Sequence, residues 1–226
     1  MDARHLRWQP DAVIVALEDV LLDTRLARRS TWRWWARRTG LDPDLVVELA
    51  WGRSPRDVVR ELVPDRDPDE ELTELAAREH LLLKTARRGR GAWNLVRSLP
   101  EGRWGVLSSG TAEQAQERWR RTRLPPPPLL VTDDDLAVGR PAPEGHRAVA
   151  TALATVPERC VALEGSPAGV TGAVAAGATA IMVHGGIDRI VPPGAAAVVH
   201  SLSSLTIDLT ADGPVLSTRR ESPRGW

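Results

Sequence analysis

The chain has 226 residues, and its 30 Lys and Arg balance 30 Asp and Glu, so the formal net charge is zero. That balance gives no reason to expect a nucleic-acid partner or an anionic membrane surface, and the length suits one large domain or a core with a small insert. A lone cysteine, Cys160, excludes an intramolecular disulfide and a cysteine-built zinc site, and no apolar run is long enough to span a bilayer. With no basic-then-apolar start, the chain reads as cytoplasmic. In chain order, Ala12-Val-Ile-Val-Ala-Leu17 is a short continuous apolar run closed by Glu18 and Asp19, the pattern of a buried parallel strand. From Thr24 to Ala92 no strand pattern follows. The segments Arg25–Thr39, Pro43–Trp51, Pro55–Val63 and Pro68–Leu83 carry helical spacing instead. Strand-like runs then return at Trp104–Leu107, Leu129–Val131, Cys160–Leu163 and Ala180–Val183, and more weakly at Ala196–Val199. Helical segments Thr111–Thr122, Gly145–Thr155 and Ala168–Ala176 separate them.

This alternation predicts an α/β fold, a Rossmann-like parallel sheet with helices on both faces, joined by right-handed crossovers. Residues 1–23 and 93–210 form the core, residues 24–92 an inserted α-helical cap over the carboxyl ends of the strands, and residues 211–226 a flexible, frayed tail. The prolines Pro125–Pro128 read as a stiff turn before the next strand. Phe and Tyr are both absent while nine Trp remain, so Leu, Val and Ala must fill most of the core.

Four segments resemble the motifs of haloacid-dehalogenase-type phosphatases, in the family's order. Val15-Ala-Leu-Glu-Asp-Val-Leu-Leu-Asp-Thr24 is similar to Phe-Asp-Leu-Asp-Gly-Val-Leu-Val-Asp-Ser. Val106-Leu-Ser-Ser-Gly-Thr111 is similar to Val-Val-Thr-Ser-Gly-Thr, and Gly139-Arg-Pro-Ala-Pro-Glu-Gly145 to Gly-Lys-Pro-Ala-Pro-Glu-Gly. Leu163-Glu-Gly-Ser-Pro-Ala-Gly169 is similar to Phe-Glu-Asp-Ser-Pro-Ala-Gly. The resemblance covers nearly the whole chain and is nearest to members that act on sugar or polyol phosphates, the β-phosphoglucomutase-like branch. It implies an aspartate that attacks phosphorus, a second carboxylate two residues on as general acid and base, a hydroxyl and a lysine on the phosphoryl oxygens, and Mg²⁺ offsetting their charge.

Carried over residue by residue, the resemblance places Ala16 at the nucleophile position, where it offers no nucleophilic atom. Glu18 takes the acid/base position on a longer arm, and Asp19 stands for a glycine. Ser108 keeps the hydroxyl, and the Ser109 and Gly110 amides begin the following helix and face the anion. Arg140 replaces the lysine, keeping the charge but not its shape. In the fourth motif Glu164 is kept while Gly165 stands for the metal-binding aspartate. The Glu18 carbonyl and Glu164 are then the remaining metal ligands, too few for Mg²⁺, so no cofactor is expected.

The chain therefore reads as a catalytically impaired pseudophosphatase that keeps a phosphate or small phosphorylated ligand. An active Mg²⁺-dependent small-molecule phosphatase or phosphomutase is the alternative, and a diverged copy without a ligand is a third reading. Asp19 as a substitute nucleophile would sit about 10 Å from Ala16 along an extended strand, on the opposite face. Ser108 and Ser109 lack a Gly-x-Ser-x-Gly elbow, which argues against an α/β-hydrolase. The scattered histidines read as surface or packing residues, Asp133–Asp135 as an acidic turn, and Trp32, Trp34 and Trp35 as cap packing. Arg87–Arg90 reads as a solvated loop whose place at the cap-to-core junction leaves a substrate-facing role open.

Overall fold

A computed structural model describes residues 5–51, 53, 55–84, 86–136, 142–184 and 191–219. After a short β1 (Arg7–Trp8), β2 (Ala12–Ala16) enters the core and β3 (Leu22–Asp23) leads into the insert. The insert holds α1 (Arg25–Thr39), α2 (Pro43–Ala50), α3 (Pro55–Leu62) and α4 (Pro68–Leu83), and β4 (Arg87–Arg88) returns the chain. Next come α5 (Ala92–Ser98), β5 (Trp104–Leu107), α6 (Ala112–Thr122), β6 (Leu130–Val131), α7 (Glu144–Ala152), β7 (Cys160–Glu164), α8 (Pro167–Ala176), β8 (Thr179–Val183) and β9 (Ala197–Val199). A final hairpin is made by β10 (Leu205–Thr210) and β11 (Gly213–Thr218).

The main sheet has the order β6-β5-β2-β7-β8-β9 with every pairing parallel. It is an α/β, Rossmann-like core with an added helical cap. From β2 the chain runs outward to β5 and β6, then crosses back past β2 to β7, β8 and β9, so the carboxyl end of β2 lies at the switch point where open α/β sheets bind ligands. Alternation along β2 divides its side chains between two cores. Val13 and Val15 pack with Val106, Leu163 and Ile181, whereas Ala12 and Ile14 pack with Val149, Ala162, Val170 and Met182.

Local signals explain the helix starts. Asp42 and Asp67 cap α2 and α4, each followed by a proline at the first helical position. Ser166 caps α8 in the same way, and Thr111 and Gln114 form a reciprocal capping box on α6. The cap has its own apolar centre of Trp32, Trp35, Val46, Val58, Val59 and Leu75. Trp32 and Trp35 meet edge to face with centroids 5.4 Å apart. Trp34 is half-buried against this centre and lies beneath the Arg38 and Arg78 guanidinium groups. Buried Glu71 accepts hydrogen bonds from Trp35 Nε1 at 2.6 Å and Arg66 Nη1 at 3.0 Å, and pairs with Arg38. No helix among the described residues is long and apolar enough to cross a membrane.

One expectation needs correction. The segment expected to fray from residue 211 instead forms β11, which pairs along its length with β10 and with β1 through Trp8 and Leu216. Val215 and Leu216, on opposite faces of the strand, are both buried, and the Asp212-Gly213 pair at the turn is a hairpin signal. Residues 220–226 lie outside the described part.

Candidate functional site at the carboxyl end of the second strand

Ala16 ends β2 and is buried in the core. The chain then turns sharply. Leu17 N–H donates to Leu107 C=O at 3.0 Å, Leu22 N–H to Leu17 C=O at 2.9 Å, and Asp19 N–H to Leu22 C=O at 2.8 Å. Asp19 holds φ of 64°, a left-handed conformation that Asp tolerates better than most side chains because its short carboxylate bonds locally. Here that carboxylate accepts from Thr24 Oγ1 and from Arg28 Nη1 at 3.4 Å. The residue that would have to serve as a substitute nucleophile is thus tied to the first turn of the cap.

Glu18 is buried and its carboxylate is densely solvated by protein donors. Oε1 accepts from Ser108 Oγ at 2.7 Å and Arg118 Nη1 at 2.9 Å, and Oε2 accepts from Ser109 N–H at 3.0 Å and Ser109 Oγ at 3.3 Å. The helix expected to begin at Ser109 starts only at Ala112, with Thr111 as its cap, so the Ser109 amide belongs to the loop before it. Hydroxyls, a backbone amide and a guanidinium are nonetheless donors that recognise oxyanions, and charge-assisted bonds of this kind are the strong ones. Gly110 N–H points instead to Ser108 Oγ at 3.3 Å. The next amides of that turn are also taken, Thr111 by Gln114 and Ala112 by Asp134. Asp135 caps Thr132, so Asp133–Asp135 is the acidic turn read from the sequence, formed as a short 3₁₀ segment.

The cap closes over this cradle through charged contacts. Arg118 reaches Glu79 of α4 at 3.5 Å with its other terminal nitrogen. His80 of α4 meets Glu117 of α6 at 2.9 Å, and Trp51 after α2 packs on the His184 ring at 5.2 Å. Burial works against the charge of Arg28, but Asp19, Glu79 and Glu18 outweigh it and raise its pKa above the ordinary arginine value.

Glu164, at the end of β7, is fully buried and bonded to His146 Nε2 at 2.8 Å. Gly165 follows where the resemblance expects a carboxylate. A Cβ built on it would lie 2.5 Å from Asp19 Cβ and 3.0 Å from Glu18 C=O, so the turn carrying Asp19 already fills that space. The magnesium implied by the resemblance does not fit these residues. Ala16 and Gly165 supply no side-chain oxygen, the Glu18 carboxylate accepts from Ser108, Ser109 and Arg118, and Glu164 is engaged by His146. That leaves the Glu18 backbone carbonyl alone of the expected ligands, too few for the octahedral shell of Mg²⁺. Arg140 lies outside the described residues. Sequence reasoning did not single out Arg118 or His146. Arg118 sits in an arginine-rich helix with no distinguishing neighbour. His146 immediately follows the third motif, the one signal that could have found it.

Comparison with known proteins agrees with this architecture. No family model matches the chain. It is 29% identical over 206 residues to hexitol phosphatase A of Escherichia coli (strain K12), covering 88% of this chain and 95% of that protein. A HAD hydrolase, family IA, variant 3 from Entamoeba histolytica superposes with a TM-score of 0.71 at 18% identity over 87% of this chain and 95% of that one. CbbY from Rhodobacter sphaeroides, in complex with phosphate, superposes with a TM-score of 0.68 at 18% identity over 86% and 95%. The fold is that of the haloacid-dehalogenase-type hydrolases. In sequence the chain is also similar to validoxylamine A 7'-phosphate phosphatase of Streptomyces hygroscopicus subsp. limoneus, 29% identical over 169 residues that cover 71% of this chain and 79% of that protein.

Proposed function

We propose that this chain is a cytoplasmic, non-catalytic phosphatase homologue whose anion cradle is held by its own Glu18 carboxylate and accepts a small phosphorylated ligand when Glu18 yields it. The observation that carries the reading is the four hydrogen bonds that described residues bring to the Glu18 carboxylate. Ser108 occupies the position that in the resembling family holds a phosphoryl oxygen, and here its hydroxyl bonds a carboxylate of this chain instead. Ala16 offers no atom to attack phosphorus, and no acyl-phosphate forms without one. The CbbY structure holds phosphate, which supports the same chemistry for the cradle donors of this chain once Glu18 is displaced.

Two measurements test this. The wild-type protein, assayed with Mg²⁺ on a hexitol phosphate and an aryl phosphate, is expected to show no turnover above background. Glu18→Ala should lose about 3–5 kcal/mol, because it strands Arg118 as a buried charge without its closest partner. Phosphate or sulfate, against matched chloride, should restore much of that stability by filling the vacated position. Turnover by the wild type, or a Glu18→Ala variant indifferent to phosphate, overturns the reading.

A further inference from the structure

We propose that the junction between the cap stem and the core is a second anion-binding site, separate from the Glu18 cradle, and that it takes a small polyanion of the diphosphate type. A cavity of about 390 Å³ opens there, lined among others by Arg25, Arg87, Arg88, Arg90, His200 and Ser201. That volume lies within the range of small-molecule pockets. Its walls come from four parts of the chain: the stretch from the turn after β2 to the start of α1, the returning β4 segment, the end of β8 at Val183, and the loop after β9.

The charge balance of the lining points to an anion. Two carboxylates face the same space, and both are already neutralised. Asp23 accepts two bonds from Arg25, at 2.9 and 2.7 Å, and these hold its carboxyl below the usual carboxylate range against the opposing effect of burial. Asp19 is taken by Thr24 and Arg28. The register sets Arg87 directly across from Asp23, where a cross-strand ion pair would normally form, yet Arg25 has claimed that carboxylate. Among the described residues, Arg87 and Arg90 consequently have no hydrogen-bond or ion-pair partner. Arg88 lies over the Trp93 ring and donates to the Thr122 carbonyl at 3.4 Å. Several cations thus surround one cavity with the local acids spent elsewhere, and an anion with more than one charge is the species that relieves their repulsion.

The segment carrying these arginines is held in place. Gly89 donates to Leu21 C=O at 2.8 Å, and its backbone passes so close to the Val20 carbonyl that a Cβ has no room. Gly91, at φ of 91°, would place a Cβ 2.6 Å from the Leu202 carbonyl carbon. Arg90 therefore projects from a backbone clamped on both sides, and β4 pairs with β3 just before it. A site prepared in this way spends little ordering entropy on its ligand. Arginine forks suit phosphoryl oxygens, and two spaced phosphoryl groups match the separated Arg87 and Arg90 better than one.

The probe is inorganic pyrophosphate, compared with orthophosphate and with chloride at equal ionic strength, on the full chain. At about tenfold over its Kd, pyrophosphate should raise the thermal midpoint by about 3–6 °C, with orthophosphate weaker. The effect should vanish in Arg87→Gln/Arg90→Gln, whose exposed positions leave the fold intact, and persist in Ser108→Ala. No pyrophosphate effect beyond chloride, or one unchanged in the double variant, overturns the proposal. An effect lost in Ser108→Ala but kept in the arginine variant assigns binding to the Glu18 cradle and likewise overturns it. Failure of phosphate to rescue Glu18→Ala bears on the cradle alone and leaves this site standing.

Discussion

Asp19 and Gly165 share one space: a Cβ on Gly165 would stand 2.5 Å from the Cβ of Asp19, closer than real side chains approach. In the resembling motifs the bulk is arranged the other way round, with glycine at the first position and aspartate at the second. Here the turn after β2 carries the carboxylate and the turn after β7 carries none. With Asp19 in place, residue 165 has no room for a side chain.

A double-mutant cycle measures this dependence. Gly165→Ala should destabilise the protein by about 1–3 kcal/mol through overpacking. Asp19→Gly alone frees the left-handed turn of its side chain but leaves Thr24 and Arg28 without their carboxylate. Combined, the two changes should cost less than the sum, with a coupling of about 1–2 kcal/mol in urea unfolding. Additive costs would show that the two turns move independently.

Much of the fold was legible because its signals are local. Two segments read as helical from a proline, Pro43–Trp51 and Pro68–Leu83, do start there behind the Asp42 and Asp67 caps, and the one read from Ala168 starts one residue earlier at Pro167. The strands showed as β-branched runs, because both faces of the sheet are covered. The terminal hairpin was missed because a Ser- and Arg-rich composition outweighed the Asp212-Gly213 turn signal. At the site, motif spacing identified Glu18 and Ser108 but not how they relate. That the carboxylate folds back onto Ser108, Ser109 and Arg118 depends on Arg118, 100 residues away in sequence, and no periodicity encodes such a contact.

Glu71 should make the cap sensitive to acid. Burial raises its pKa, but hydrogen bonds from Arg66, Trp35 and Arg38 outweigh it, so the folded value lies below the 4.5 of a free glutamate. A group with a lowered folded pKa contributes stability that is fully present above 4.5 and is lost as pH falls through the lower folded value. Wild-type stability should therefore fall below about pH 4.5, and Glu71→Gln should start lower and show a shallower decline over that window. Glu117 and Asp23 are lowered as well, so some acid dependence remains. Parallel pH profiles for the two proteins would refute the assignment.

Cys160 should be inert in the folded protein. Burial, with Asp11 and Glu158 adding negative charge nearby, pushes its thiol up to about 11, so almost none is thiolate at pH 8. A thiol reagent at pH 8 should modify the native chain at least tenfold more slowly than the chain unfolded in urea. Equal rates would mean that β7 opens readily at its amino end.

The strongest test of the non-catalytic reading is an attempt to restore chemistry. Ala16→Asp alone is expected to give no turnover. The new carboxylate would enter a buried position beside Glu18, no metal ligand would have been regained at residue 165, and Ser108 would still be spent on Glu18. Four changes together, Ala16→Asp, Glu18→Asp, Asp19→Gly and Gly165→Asp, shorten the arm that fills the cradle and rebuild the first and fourth motifs. They also respect the space shared by residues 19 and 165. Removing a nucleophile typically costs on the order of 10⁴–10⁶ in rate, so even partial recovery stands clear of the wild-type background. The expected result is Mg²⁺-dependent hydrolysis of a hexitol phosphate by the fourfold variant, absent from the wild type and from Ala16→Asp. Should the wild type turn over the same substrate at a rate the fourfold variant does not exceed, Ala16 would not be the missing element, and the active site would lie elsewhere in the chain.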